Sequence, residues 1–218
     1  MPKRSLNPDA IAAAALALGD RDGQAAMSMR RIAAELACDP MAIYRHFPNR
    51  EALLDAVADL ALAGVVTDRS ADVGTGPGAA VRAGASPGFE WEGRLIALLS
   101  DVREAALRHP GIAGHIASRP PLGPNGLRLH RVLTEALVAA GLSRADVAKA
   151  TQALIAYLAA ALAMAVRAGE RDERWHQVGK ALELEVDSAQ LPIVGSAEQF
   201  AFGLRLLVNG IRVEGQRG

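Results

Sequence analysis

The residues most able to do chemistry in this sequence lie in one short stretch, Pro40-Met-Ala-Ile-Tyr-Arg-His-Phe47. Ile43 and Phe47 recur at i, i+4 and define an inward face. Met41, Ala42, Arg45 and His46 are then left outside, with Tyr44 at the edge. Small, apolar and cationic side chains on a short helix are suited to reading a DNA major groove, because arginine forks to guanine and small apolar groups meet thymine methyls. Arg45, Met41 and Ala42 are the candidate base contacts here, joined by Arg30 on the preceding helix. No nucleophile elbow, phosphate loop or metal signature accompanies them, so the pattern points to binding and away from catalysis.

These side chains need a frame, and the neighbouring residues supply it. Ser28 is a good N-cap for a first helix on which Ile32, Ala33 and Leu36 recur at helical spacing. Ala37-Cys38 makes a tight corner, and Asp39 caps a second helix with Pro40 at its first position, where the missing N–H costs nothing. Two short helices at a corner, the second presenting a reading face, form a helix-turn-helix unit. Upstream, Asn7-Pro8-Asp9 starts a helix from Pro8 to Leu18, with Ile11, Ala15 and Leu18 on its buried stripe and Gly19 ending it. Downstream, Pro48 breaks the reading helix and Asn49 caps a fourth, from Arg50 to about Val65. Residues 1–65 are expected to form one four-helix unit behind a basic arm carrying Lys3 and Arg4.

Composition bounds what surrounds that unit. A chain of 218 residues that is 50% hydrophobic can bury a substantial core, and its low aromatic share (4%) with abundant alanine and leucine favours an all-α fold. The 24 Lys and Arg balance 24 Asp and Glu, so no global basic field points to nucleic acid. Within residues 1–50, seven basic residues face only five acidic ones. Affinity for DNA therefore has to come from local placement and from doubling the unit. The single cysteine, Cys38, excludes an intrachain disulfide and suits a reducing cytoplasm. The longest apolar run, Ala153 to Val166, is about 14 residues and short of a bilayer span, so no membrane role is expected.

Residues 68–88 are rich in Gly, Ala, Pro and Ser, carry almost no large apolar side chain, and read as a linker between two domains. From Phe89 the helical period returns, with helices expected at Phe89 to Arg108, Ile112 to Ser118, Asn125 to Ala140 and, capped by Ser143 with Asp146 at N3, on to about Ala168. A further helix is expected over Asp172 to Leu184, and a last one, capped by Ser196, to about Glu214. The helix after Ser143 and the last helix are apolar nearly all round, which calls for burial on more than one side. Leu154, Leu158 and Leu162 on one, with Phe200, Gly203, Leu204, Leu207 and Ile211 on the other, are the candidate faces of an intersubunit four-helix bundle, where Gly203 allows close approach. Two central core helices of a single chain are the competing reading. In this aliphatic domain Trp91, His115, His130, Tyr157, Met164 and Trp175 are the side chains able to line a ligand pocket. His109, His115 and His130 lack the spacing of a zinc site, so neither metal nor cofactor is expected.

Ser28 to Ala58 resembles the signature of the tetracycline-repressor (TetR) family, above all in Met29-Arg-Arg-Ile-Ala, Met41-Ala-Ile-Tyr-Arg-His-Phe and Asn49-Arg-Glu-Ala-Leu-Leu-Asp. The stretch Phe200-Ala-Phe-Gly-Leu-Arg-Leu-Leu-Val-Asn-Gly-Ile is similar to the last helix of that family's tetracycline-repressor-type C-terminal domain. The resemblance implies an all-helical homodimer, two units reading a near-palindromic double-stranded operator, and a small-molecule pocket whose occupation releases the DNA. It also implies phosphate contacts from Tyr44 and His46, with Arg50 opening the next helix in position to add another and Ser28 offering a hydroxyl or amide. Set against this reading are an enzyme, for which no motif speaks, and a helical protein–protein adaptor that has lost DNA binding, for which only the small basic excess speaks.

Overall fold

The computed structural model describes residues 6–65, 90–167 and 193–217; the expected linker and the expected helix over Asp172 to Leu184, with Trp175, lie outside them. Among the described residues every regular element is helical. Helix α1, Pro8–Asp22, starts as its sequence dictates: the Asn7 side chain accepts the Ala10 amide at 2.8 Å, with proline in the first turn. It runs a turn beyond the expected stop at Gly19. The terminating residue is Gly23, whose φ of 79° reverses the chain while its amide bonds back to the Gly19 carbonyl. Gly19 serves packing instead: a Cβ there would lie 2.8 Å from the Met27 sulfur, and a Cβ on Gly111 would strike the Gly19 carbonyl. A 3-10 turn, Gln24–Ala26, then leads to α2, Met29–Glu35, capped by Ser28 on the Arg31 amide.

Helix α3 is Pro40–Tyr44 and α4 is Arg50–Ala61, each with the expected side-chain cap, Asp39 on Met41 and Asn49 on Ala52. Helix α4 is shorter than the periodicity suggests, because the chain turns at Leu62, although Val65 stays buried. The guanidinium of Arg128 reaches back to the Val65 carbonyl at 3.0 Å and satisfies part of that exposed end.

The second half contains α5 (Glu90–Arg108), α6 (Pro110–Ser118), α7 (Pro124–Ala139), α8 (Arg144–Arg167) and α9 (Ala197–Gly215). Helix α6 begins earlier than expected, since Pro110 takes its first position. On α7 the buried stripe is Leu129, Leu133, Ala136 and Leu137, while Leu127 faces outward. Ser143 and Asp146 satisfy each other at the start of α8, and Ser196 accepts the Gln199 amide at the start of α9. One apolar core runs from α1 through α9, joining the N-terminal unit to the rest; α6 packs on α1, α4 and α8.

Helices α5, α8 and α9 meet around Phe200. Its ring stacks on Tyr157 at 5.5 Å, Arg103 lies 5.4 Å from the same ring, and the Tyr157 hydroxyl donates to the Phe200 carbonyl. Arg103 is buried, donates to the Gly195 carbonyl at 2.6 Å, and has its guanidinium pKa pulled down by that burial. This crossing takes up several of the residues expected at an interface. Leu154, Leu162, Phe200, Leu204 and Ile211 belong to the core of a single chain, and Leu158, Gly203 and Leu207 are half-buried against it. The stripe seen in the sequence is the inward stripe; the outward residues are Phe202, Leu206 and Val213 on α9, with Met164 and Val166 on α8. The expectation from run length is also corrected. Arg144–Val166 is continuous helix, 23 residues long and apolar enough by length and composition to cross a membrane; its most apolar stretch has a mean hydropathy of 1.5, and only 17% of that stretch is buried within the chain.

Candidate nucleic-acid interface

The helix-turn-helix is built from short local bonds. Helix α2 closes on Leu36, and Ala37 turns the corner in the left-handed region at φ 50°, with the Cys38 amide returning to the Ala33 carbonyl. That corner, with Ile32, Ile43 and Phe47 driven into the core, fixes which way α3 faces. Met41 is 64% exposed and Tyr44 45%; Arg45 and His46 also face outward, and Ala42 is half-buried between them. On the preceding helix Arg30 is exposed too.

Ion pairs sort the cations of this unit. Arg21 pairs with Glu35 at 3.0 Å and Arg31 with Asp22 at 2.6 Å, which neutralises two of the five arginines described there. Arg50 turns inward, donating from Nε to the Met27 carbonyl at 2.9 Å and from its terminal nitrogen to the Gln24 carbonyl at 2.8 Å. It ties α4 to the turn before α2, so only its remaining nitrogen is available to a phosphate. Among the described residues Arg30 and Arg45 have no such partner, and both are exposed. The arginines left outside these pairs are thus Arg30 and Arg45, cations of the kind that phosphate and base contact require.

Behind this surface an acidic stripe on α4, Glu51, Asp55 and Asp59 at i, i+4 and i+8, receives donors from the second half of the chain. Arg119 bridges Glu51 and both oxygens of Asp55. The buried His115 on α6 donates from Nε2 to Asp55 at 2.8 Å. Burial pushes the Asp55 carboxyl up, but the bonds from His115 and Arg119 outweigh it and hold the group below the usual carboxylate range. Asp59, also buried, accepts the Asn125 and Gly126 amides at 3.2 and 2.7 Å and thereby caps α7 from another element.

Next to this clasp lies an apolar cavity of about 70 Å³, lined by Leu62, by Leu98, Leu99 and Val102 of α5, by the Pro120-Pro121 turn, and by residues of α7 and α8. On its other side Asp55, Asp59, Arg119 and Pro120 border an open cleft of about 470 Å³. Pro120 is common to both walls.

Residues 11–57 match bacterial regulatory proteins of the tetR family, and residues 84–214, more than half of the chain, match the tetracyclin repressor-like C-terminal domain. The chain belongs to the TetR family. An HTH-type transcriptional regulator of Saccharopolyspora erythraea is 35% identical over 156 residues, 72% of this chain and 59% of that relative, so the match spans less than two thirds of that relative's length. The HTH-type transcriptional repressor DrrR1 of Streptomyces coeruleorubidus is 27% identical over 97% of this chain and 79% of its own. Among solved structures, BioQ of Mycobacterium smegmatis is 29% identical with a TM-score of 0.66 over 96% of this chain and 99% of its own. BioQ with its natural double-stranded DNA operator is 26% identical with a TM-score of 0.65 at the same coverage.

As a TetR-family regulator the chain is a transcription factor and not an enzyme, all-α, with an N-terminal helix-turn-helix and a C-terminal helical domain. The structure leaves Arg30, Met41, Tyr44, Arg45 and His46 exposed, with Ala42 half-buried, and keeps Ser28 half-buried as a cap. Of the expected pocket residues that are described, it brings His130 alone to the cavity. Trp91 is in the core, His115 is committed to Asp55, Tyr157 to Phe200, and Met164 faces outward. The three histidines do not converge: His109 bonds Asp20, and His130 bonds the Gly126 carbonyl. Sequence reasoning missed the clasp. Its one visible signal was the spacing of Glu51, Asp55 and Asp59, which resembled an ordinary solvated face.

Proposed function

We propose that this chain is a repressor acting as a homodimer in the cytoplasm, reading a near-palindromic operator and leaving it when a small molecule opens the apolar cavity. The observation that carries the reading is α3 with the turn after it, where Met41, Tyr44, Arg45 and His46 are exposed and Ala42 is half-buried, while Ile43 and Phe47 sit in the core. Arg30, Met41, Ala42 and Arg45 take the base edges, and Tyr44 and His46 the phosphates, which set register without choosing sequence. A relative that is a transcriptional repressor and a neighbour bound to its operator support the same assignment. The division into a reading unit over 1–65 and a ligand-binding, dimerising part over 89–218 accompanies it.

A second copy of the chain supplies the missing cover for α8 and α9. One side of α8 packs on α5, α6 and α7, while the outward residues of α8 and α9 leave apolar surface uncovered. Two reading helices held about 34 Å apart then meet successive major grooves.

Release follows from the size of the cavity. At about 70 Å³ it is well below the roughly 300 Å³ of an ordinary ligand site. Entry of an effector has to push the Arg119-to-Pro121 turn and the first turn of α7 outward. Those segments hold Asp55 and Asp59, so α4 moves with them and carries the reading helix off its spacing. DNase footprinting on the region upstream of the coding sequence tests the reading. Two protected tracts one helical turn apart are expected, fading as effector is added. An unprotected region favours the adaptor reading.

A further inference from the structure

The reading helix is too short to hold its own direction. Helix α3 has five residues, little more than one turn, so its orientation depends on what fixes the chain at its two ends. At the leading end the Ala37 corner does this, with the Cys38 amide on the Ala33 carbonyl. At the trailing end the chain passes Phe47 in the core, then the Asn49 cap, and enters α4 at Arg50. The Arg50 side chain reaches back 23 residues to the Met27 carbonyl at 2.9 Å, and 26 residues to the Gln24 carbonyl at 2.8 Å.

Those two carbonyls mark the entrance to α2. The Met27 amide bonds to the Gln24 carbonyl at 3.1 Å. The Ser28 amide bonds to the Ala26 carbonyl at 2.7 Å, folding Met27 (φ −74°, ψ 62°) into an inverse γ-turn. Met27 is also fully buried against Gly19 of α1. The guanidinium therefore joins the residue that follows the helix-turn-helix to the residue that precedes it, at a point anchored in the core. Ser28 to Asn49 is closed into a loop at its base, and Arg30, Met41, Ala42, Tyr44, Arg45 and His46 all lie within it. Two donors of one planar group make this closure, a geometry that the single nitrogen of lysine does not reproduce.

We propose that Arg50 is a positioning residue for operator recognition. Its fork closes the helix-turn-helix and holds α3 at the angle that base contact requires, and its charge is not used on a phosphate. This role rests on reading α3 as the helix that enters the major groove. Without the fork the trailing end of α3 is released and base contacts weaken, while the general attraction to the DNA backbone survives.

Two variants separate position from charge: Arg50→Lys keeps the charge and loses the fork, and Arg50→Gln loses both. Binding of each full-length variant is followed by fluorescence anisotropy as salt rises, well below its melting temperature. The duplexes are one from the region upstream of the coding sequence and a scrambled one of equal length. Both variants are expected to bind the upstream duplex about tenfold more weakly than the wild type, in line with two lost hydrogen bonds. Affinity for the scrambled duplex and the log–log salt slope should stay nearly unchanged. A phosphate contact gives another pattern: Arg50→Lys binds like the wild type, and in Arg50→Gln the slope falls by about one for each unit on the duplex. That pattern, wild-type affinity in both variants, or an equal loss on both duplexes overturns the proposal. If the wild type itself does not prefer the upstream duplex, the reading of α3 fails and the proposal with it. If it does and the variants match it, only the Arg50 assignment fails.

Discussion

Arg45 and Tyr44 are neighbours in sequence but should fail differently when altered. The Arg45 guanidinium is exposed and, among the described residues, without a carboxylate partner, so it is available to fork to one guanine. Arg45→Ala should cost about 1–3 kcal/mol and relax selectivity at a single operator position. Tyr44→Phe removes the hydroxyl proposed to meet a phosphate and should weaken every sequence alike. Binding measured across an operator library separates the two, and a uniform loss for both defeats the assignment. Much at this scale was legible in the sequence: Asn7, Ser28, Asp39, Asn49, Ser143 and Ser196 all cap as their types and positions indicate. Arg50 was not, because nothing local tells whether a cation at a helix start faces a phosphate or, as here, two carbonyls more than twenty residues away.

At the scale of elements, α4 is the joint. Asp55 is held below the usual carboxylate range, so its pairing contributes fully above about pH 4 and is lost as pH falls through the depressed value. Thermal melts of Asp55→Asn should therefore show lower stability than the wild type near neutrality and a shallower decline below about pH 4. Identical declines in the two proteins would count against the clasp. Asp59→Ala leaves the Asn125 and Gly126 amides without their acceptor and should cost about 1–2 kcal/mol in denaturant unfolding, with faster amide exchange in the first turn of α7. A loss within a few tenths of a kcal/mol contradicts the capping role. Helical periodicity predicted these helices but not their mutual contacts. The i, i+4 spacing that places Glu51, Asp55 and Asp59 on one face is the same whether that face meets water or another helix. Likewise Gly19 reads as a helix stop in sequence, and only the approach of Gly111 shows that it is a crossing point.

For the whole molecule, the sequence revealed two helices apolar on more than one side but not which side belongs to the chain's own core. Leu154 and Leu162 are 1% exposed and Leu204 is fully buried, whereas Phe202 and Leu206 are more than half exposed. The outward face proposed to meet a second copy makes its own prediction. Phe202→Glu with Leu206→Glu should leave the folded chain monomeric in sedimentation and lower operator affinity at least tenfold, since one unit alone reads too few base pairs. A dimer that persists in this variant puts the partner surface elsewhere.

The most direct test of the account is equilibrium binding of the purified protein to duplex DNA from its own upstream region, followed by fluorescence anisotropy as salt rises, against a scrambled duplex of equal length. The account predicts tighter binding to the upstream duplex, by a factor of about a thousand or more, and an affinity that falls steeply and linearly on a log–log plot as counterions are retained. Equal affinity for the two duplexes, or binding indifferent to salt, would contradict it.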